Sequence, residues 1–277
     1  MRLGGPVFEK AVDPESWIAA VRRCGYRAAY CPVDAQTEPA IARQYVEAAR
    51  SADIVIAEVG AWSNPISPDA GVRSAALERC KAQLSLADRI GATCCVNISG
   101  SRGEQWDGPH PDNFADETFH LIVDTVREIL DAVQPTQTFY ALETMPWVFP
   151  DSPDSYLRLI HAIDRPRFAV HLDPVNMINC PARYYQNGDF IRECFEKLGP
   201  YLKTCHAKDI SLSGRLTVHL DEVRPGLGTL DYSVFLRELN RLDPDIPLML
   251  EHLPAEEEYK LAAAHIRSMA DRDHIVY

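Results

Sequence analysis

Eight times in succession the chain offers a short apolar run followed by an amphipathic helical stretch, and that alternation leaves few folds open. Strand patterns fall at 2–8, 28–33, 54–62, 93–99, 139–145, 168–173, 202–208 and 248–253. Helical patterns follow at 13–25, 38–52, 72–91, 116–133, 153–163, 187–199, 232–242 and 256–270,. Runs such as TCCVNIS and FYALETM are near-continuously apolar, which suits a parallel sheet covered on both faces,. Eight such units in 277 residues predict an α/β fold of the (β/α)8 barrel type, one domain over 1–277, in preference to an open doubly wound sheet,. Local punctuation agrees: Asp13 can cap the first helix, Pro14 fits its first turn and Gly25 stops it,.

Several function classes drop out. Neither GxGxxG nor GxxxxGK[ST] occurs, which removes the commonest nucleotide-binding loops,. A formal net charge of -12 argues against nucleic acid as a partner, because phosphate binding needs a basic footprint,. The longest apolar runs are strand-sized, so no membrane span is expected,. The start, MRLGGPVFEKAVDPESW, lacks the apolar centre of a signal peptide,. The eight cysteines are scattered without a CxxC pair, which reads as free thiols in a reducing cytoplasm,.

In a barrel of this kind chemistry sits at the C-terminal ends of the strands. The fifth strand ends in LETMPW with Glu143, the sixth in HLDPVNM with Asp173, the seventh in CHAKD with His206, the eighth in LEHL with Glu251. Any one of these would pass as an exposed strand end; four consecutive strands delivering a ligand each make a pattern. Lone carboxylates are expensive to desolvate, whereas a divalent cation neutralises a group of them. Three carboxylates and one imidazole suit Mn²⁺ first, with Mg²⁺, Co²⁺ or Fe²⁺ as alternatives, and not a thiolate zinc site.

Glu143, Asp173, His206 and Glu251, in that order, resemble the metal set of the xylose-isomerase-like barrel superfamily, which includes D-tagatose 3-epimerase-type ketose epimerases, hydroxypyruvate isomerases, inosose dehydratases and apurinic endonucleases. PGLGTLDY (225–232) resembles the PGxGxxD signature of its sugar-active members. The resemblance implies a metal-dependent sugar isomerase or epimerase acting on a small ketose or keto-sugar acid through a metal-bound enediolate. By position Glu143 and Glu251 would be the acid/base pair, with Asp173 and His206 mainly ligands. It also implies a homo-oligomer, a dimer or a tetramer. The endonuclease branch needs three zinc ions, further histidines and a basic groove that this chain does not offer.

Two departures keep a carbohydrate lyase, a dehydratase or decarboxylase on the same site, open as the alternative. Ketose epimerases carry a histidine three residues after the strand-six aspartate; here it is Asn176, which hydrogen-bonds but does not shuttle protons,. The ending His206-Ala-Lys208-Asp209 is closer to inosose dehydratase-like members, and period-two geometry turns Lys208 inward beside His206, where its ammonium is expected to bind substrate through a carboxylate or a developing oxyanion,. Trp147 offers an apolar wall for a sugar's C–H face, and Arg215 or Arg224, in the stretch read as a loop after strand seven, a substrate-binding arginine,. Glu58, Trp62, Asn64, Asn97 and Arg102 are further pocket candidates. His171 reads as a core histidine, His252 as pointing outward, and CPARYYQNGD (180–189) as a loop. A barrel that had lost catalysis would show a missing ligand; all four are present.

Overall fold

Gly4 shows how tightly the strands close, since a β-carbon there would lie 2.5 Å from the Ala28 carbonyl oxygen and 2.6 Å from the Met249 sulfur. Only glycine lets the first, second and last strands meet so closely. A computed structural model describes residues 1–277. Its first half runs β1 (Arg2–Gly5), α1 (Pro14–Arg23), β2 (Ala28–Tyr30), α2 (Pro39–Ser51), β3 (Val55–Gly60), α3 (Ala70–Ile90), β4 (Cys94–Asn97) and α4 (Asp116–Val133). Then come β5 (Phe139–Glu143), α5 (Pro153–Ile163), β6 (Phe168–Leu172), α6 (Pro181–Tyr185), α7 (Asn187–Leu198) and β7 (Leu202–Ala207). The chain finishes with β8 (Asp209–Ser213), β9 (His219–Val223), α8 (Tyr232–Leu242), β10 (Pro247–Leu250) and α9 (Glu256–Arg272).

The barrel closes in the order β1-β10-β7-β6-β5-β4-β3-β2, all neighbours parallel, while β8 and β9 form a separate antiparallel hairpin. All eight expected strands and the helices between them are present; each strand ends one to three residues before its expected end, so that Glu143 and His206 lie in the ladder while Asp173, Lys208 and Glu251 follow it. Asp13 caps α1 through a capping box with Ser16, and Ser152 does the same for α5 with Ser155,. None of the eight cysteines is paired, and no helix is long and apolar enough to cross a membrane.

Two segments differ from the sequence reading. Residues 180–189 are not a loop: α6 and the start of α7 occupy them, with Tyr184 buried in the core and Tyr185 exposed. The stretch 209–223 is not a loop either but the β8–β9 hairpin, standing on the C-terminal rim.

The main apolar core, 65 buried residues, is distinct from two three-residue clusters, Ala28, Ala57, Met249 and Cys94, Val96, Ala141. The Cys94 sulfur lies 3.3 Å from Thr204 Oγ1; β4 and β7 are not neighbours, so this contact crosses the lumen. Barrel interiors are usually filled by bulky branched residues. Here small side chains fill part of it and leave room for polar ones above.

One buried carboxylate explains the PGLGTLDY motif. Asp209 Oδ2 accepts from Gly226 N (2.9 Å) and Gly228 N (3.1 Å), and Oδ1 from Leu230 N (2.9 Å) and Ile210 N (2.8 Å). Gly226 has φ +96, and a β-carbon on Gly228 would meet both Asp209 Oδ1 and the Ile210 carbonyl at 2.3 Å. Asp231 then caps α8 by accepting from Val234 N,. Gly228→Ala is therefore expected to lower unfolding free energy by about 1–3 kcal/mol in urea titration, as overpacking does. Gly214→Ala, at the hairpin turn with open space around it, should change it by less than about 1 kcal/mol.

Candidate metal centre

Alternation along the strands gathers the charged groups. Glu143 ends β5, Asp173 follows β6, His206 lies in β7 with Lys208 just beyond it, and Glu251 follows β10. These four strands are consecutive neighbours, so inward positions two apart, 171 and 173, 204, 206 and 208, 249 and 251, stack toward one mouth,. His206 Nδ1 lies 2.8 Å from Glu251 Oε1 and 3.3 Å from Glu143 Oε1. One ligand atom from each of Glu143, Asp173, His206 and Glu251 falls within 4.8 Å of all the others.

The carboxylates are aimed rather than merely near. Asp173 Oδ1 accepts from Val175 N (2.9 Å) and Asn176 N (3.2 Å), which pins the group and turns Oδ2 inward. Thr144 Oγ1 donates to the Asp173 carbonyl at 2.8 Å, tying β5's end to β6's. Asn176 Nδ2 donates to Glu143 Oε1 and to the Thr144 carbonyl, both at 3.0 Å. Asp173 Oδ2 and Glu251 Oε1 are buried and receive no aligned hydrogen bond.

Lys208, 2% exposed, sets its ammonium among them: 2.7 Å from Glu251 Oε1, 2.8 Å from Asp173 Oδ2, and 3.6 Å from both Glu143 Oε1 and Glu222 Oε2. Glu222 comes from β9 and escaped the sequence reading with the hairpin. Its signal was the apolar alternation of Ile210 and Leu212, then Val218 and Leu220, around Gly214,.

Beneath lies a second polar layer. Glu58 Oε2 is 3.3 Å from His206 Nε2, and Glu58 Oε1 is 3.5 Å from His171 Nδ1. His171 Nδ1 also meets Thr204 Oγ1 at 2.5 Å, and its ring stands edge-on to His206 with centroids 4.1 Å apart. Glu58 thus accepts from Nε2–H and leaves Nδ1 to face the carboxylates, the way an outer carboxylate orients a metal-ligating histidine. Glu58, named only as a possible pocket residue, sits below the pocket and serves His206.

The electrostatics follow from these neighbours. Burial works against a charged His206, yet Glu251, Glu143 and Glu58 together hold its pKa well above the usual imidazole value. Burial drives His171 well below it, so that ring stays neutral. Desolvation opposes the Lys208 ammonium too, but Asp173, Glu143 and Glu251 hold its pKa well above the ordinary lysine value. Asp173 is pushed up to about 6 by burial, which outweighs Lys208. Glu251, a little more exposed, moves the other way, well below the ordinary carboxylate value, because it faces His206 as well as Lys208.

A cavity of about 560 Å³ opens above this floor, lined by Glu143, Asn176, Lys208, Glu222, Glu251 and His252, with Trp147 among its walls. Trp147 Nε1 donates to the Asp107 carbonyl at 2.6 Å. Trp62 lines it too. His252 does not turn away from the site but lies 3.4 Å from Glu222 at the rim. Arg215 is exposed at the hairpin tip, donates to Ser213 Oγ and does not line the cavity; Arg224 pairs with Glu258 at 2.8 Å. Asn64, Asn97 and Arg102 are loop fasteners, bonded to Ser101, to Ser63 N and Cys80, and to the Ile66 carbonyl.

The family model described as xylose isomerase-like TIM barrel matches residues 18–269. The chain belongs to this family. No curated protein sequence matches it. Among solved structures, a D-tagatose 3-epimerase-like protein superposes with TM-score 0.73 at 18% identity, over 99% of this chain and 98% of that one. D-psicose 3-epimerase of Clostridium cellulolyticum H10, solved with D-tagatose, gives 0.70 at 14% over the whole of both chains. The probable 3-DHS dehydratase AsbF of Bacillus anthracis gives 0.70 at 17%, over 95% and 96%. At such identities the likeness is one of fold.

Within this family member the donor set fits a hard divalent cation: three carboxylates and one imidazole nitrogen converge, and the inward oxygens of Asp173 and Glu251 already hold a cation, the Lys208 ammonium,. Lys208→Met tests that fit without reference to activity. With chelator present it should lose about 3–5 kcal/mol in urea unfolding, as breaking a buried ion pair does. Adding Mn²⁺ should restore most of that loss; a variant whose stability ignores the ion would contradict the fit.

Proposed function

We propose that the protein is a divalent-metal-dependent sugar isomerase or epimerase that moves a proton next to the carbonyl of a keto-sugar. The observation that carries this reading is the convergence of Glu143, Asp173, His206 and Glu251 from four neighbouring strands at the floor of an open cavity. Mn²⁺ is the first choice of ion, with Mg²⁺, Co²⁺ or Fe²⁺ accepted by the same donors. A bound divalent ion supplies Lewis acidity to a carbonyl and its neighbouring hydroxyl.

The chain's own residues do the proton work. Glu143 and Glu251 reach the site from strands on either side of β6 and β7, so one carboxylate takes the α-proton and the other returns it,. Asp173, pinned through Oδ1, keeps its second oxygen inward. Glu58 holds His206 in orientation from below. Asn176 Nδ2 steadies Glu143 and its Oδ1 faces Lys208 Nζ at 3.4 Å. Trp147 gives the sugar an apolar wall.

One observation favours a second reading, a dehydratase. The Lys208 ammonium lies 2.7 Å from Glu251 Oε1, where a Glu251–Lys208 pair can protonate a departing hydroxyl after the α-proton has been taken,.

Incubation with ketoses in D₂O separates the readings. The isomerase reading predicts deuterium next to the carbonyl, lost with chelator and restored by Mn²⁺, with the substrate's mass otherwise kept. Release of water marks the lyase instead. Glu143→Gln and Glu251→Gln should each lower kcat by about 10²–10⁴, the usual reach of acid–base catalysis, with the far-ultraviolet circular dichroism unchanged. Full turnover in either variant would remove it from the proton transfer.

A further inference from the structure

We propose that the cavity takes an uncharged carbohydrate of two ring-sized units, a keto end over the carboxylates and a second neutral ring on Trp62 and Trp106, and discriminates against phosphorylated and carboxylated sugars. The inference rests on the sugar reading above and narrows it, since sugar acids were among the substrates the sequence left open.

The charge lining the cavity is mainly negative. Glu143, Glu222 and Glu251 line the cavity, with Asp173 and Glu58 buried just beneath. Lys208 is the lysine that lines it, and its ammonium is already held within 3.6 Å of four carboxylates. No arginine lines the cavity. Arg102 is engaged by the Ile66 carbonyl, Arg224 by Glu258, and Arg215 stands at the exposed hairpin tip. Phosphate and carboxylate groups are recognised by arginine forks or free ammonium groups, and none is offered. Six carboxylates, Asp107 at the wall included, against the Lys208 ammonium, the His252 ring at the rim and one divalent ion leave the site negative, so an added anion is repelled.

The cavity also has aromatic walls. It is lined by Tyr30, Trp62, Ile98, Trp106, Met145 and Trp147 as well. Flat aromatic faces pack against the C–H faces of sugar rings, while carboxylates accept from their hydroxyls. Trp62 and Trp106 are 37% and 39% exposed, the condition of rings at a rim awaiting a partner. A volume of about 560 Å³ is in the range of sites that bury drug-sized ligands, roughly 300–1,000 Å³, and exceeds what one hexose fills.

Three ligands that share a fructose unit test this on the Mg²⁺-loaded full-length protein: D-fructose, D-fructose 6-phosphate, and isomaltulose, which carries a neutral glucose ring where the second carries phosphate. Three of the four tryptophans, Trp62, Trp106 and Trp147, line the cavity, so intrinsic fluorescence reports its occupation, with calorimetry giving affinities. Isomaltulose should bind about tenfold or more tighter than fructose, in keeping with added aromatic contact, and fructose 6-phosphate weakest of the three. Trp62→Ala with Trp106→Ala should erase the advantage of isomaltulose, weakening it about tenfold more than fructose in calorimetry. Fructose 6-phosphate binding as tightly as fructose or tighter overturns the charge argument. A double variant that weakens fructose and isomaltulose equally overturns the second-ring platform. Failure of all three to bind, with and without Mg²⁺, overturns the sugar reading itself and this inference with it.

Discussion

The crowding of carboxylates in a buried barrel mouth is the constraint on which the rest depends. Glu58, Glu143, Asp173 and Glu251 crowd around His206 and Lys208 at exposures from zero to about a tenth, and like charges in such a place require a compensating cation,. The fold meets that requirement twice. Lys208 and protonated His206 answer it within the protein, and the inward oxygens of the same carboxylates present a divalent ion with a ready donor set. A divalent ion held by this set would need His206 Nδ1 free of its proton, so its uptake would displace positive charge the protein already supplies.

That balance accounts for features remote from the chemistry. Part of the interior is lined with small side chains, Ala28, Ala57, Cys94, Ala141 and Thr204, where bulk would exclude a polar layer. Glu58 turns His206, Thr144 joins the ends of β5 and β6, and Asp209 locks the glycine loop that follows the hairpin, so that Glu222 arrives beside Lys208. The family's chemistry is carried at the strand ends, but its accuracy comes from these supports.

The barrel was legible because each strand is apolar throughout and each helix has its own caps; eight repetitions of one local pattern admit few closures. The four convergent residues were legible because strand ends are a fixed address in a barrel. Lys208 could be placed on the inner face by its spacing from His206, but its grip on Asp173 and Glu251 could not, since that depends on side-chain reach across two strands. Glu222 and the hairpin were missed because half-polar alternation near a glycine was taken for a loop. Arg215 looked available for a substrate because sequence gives no sign that the hairpin carries it outward. Asn64, Asn97 and Arg102 looked like pocket residues for the same reason: position along the chain does not tell a side chain that faces the cavity from one that ties two loops together.

The most direct test of the central claim is anomalous diffraction from crystals of the protein soaked in Mn²⁺. The account predicts one strong manganese peak bonded by Glu143, Asp173, His206 Nδ1 and Glu251, with the Lys208 ammonium moved off those oxygens or alongside the ion. No peak there, with Lys208 still between Asp173 and Glu251, would show that the lysine is the site's permanent cation and would contradict the metal-dependent account.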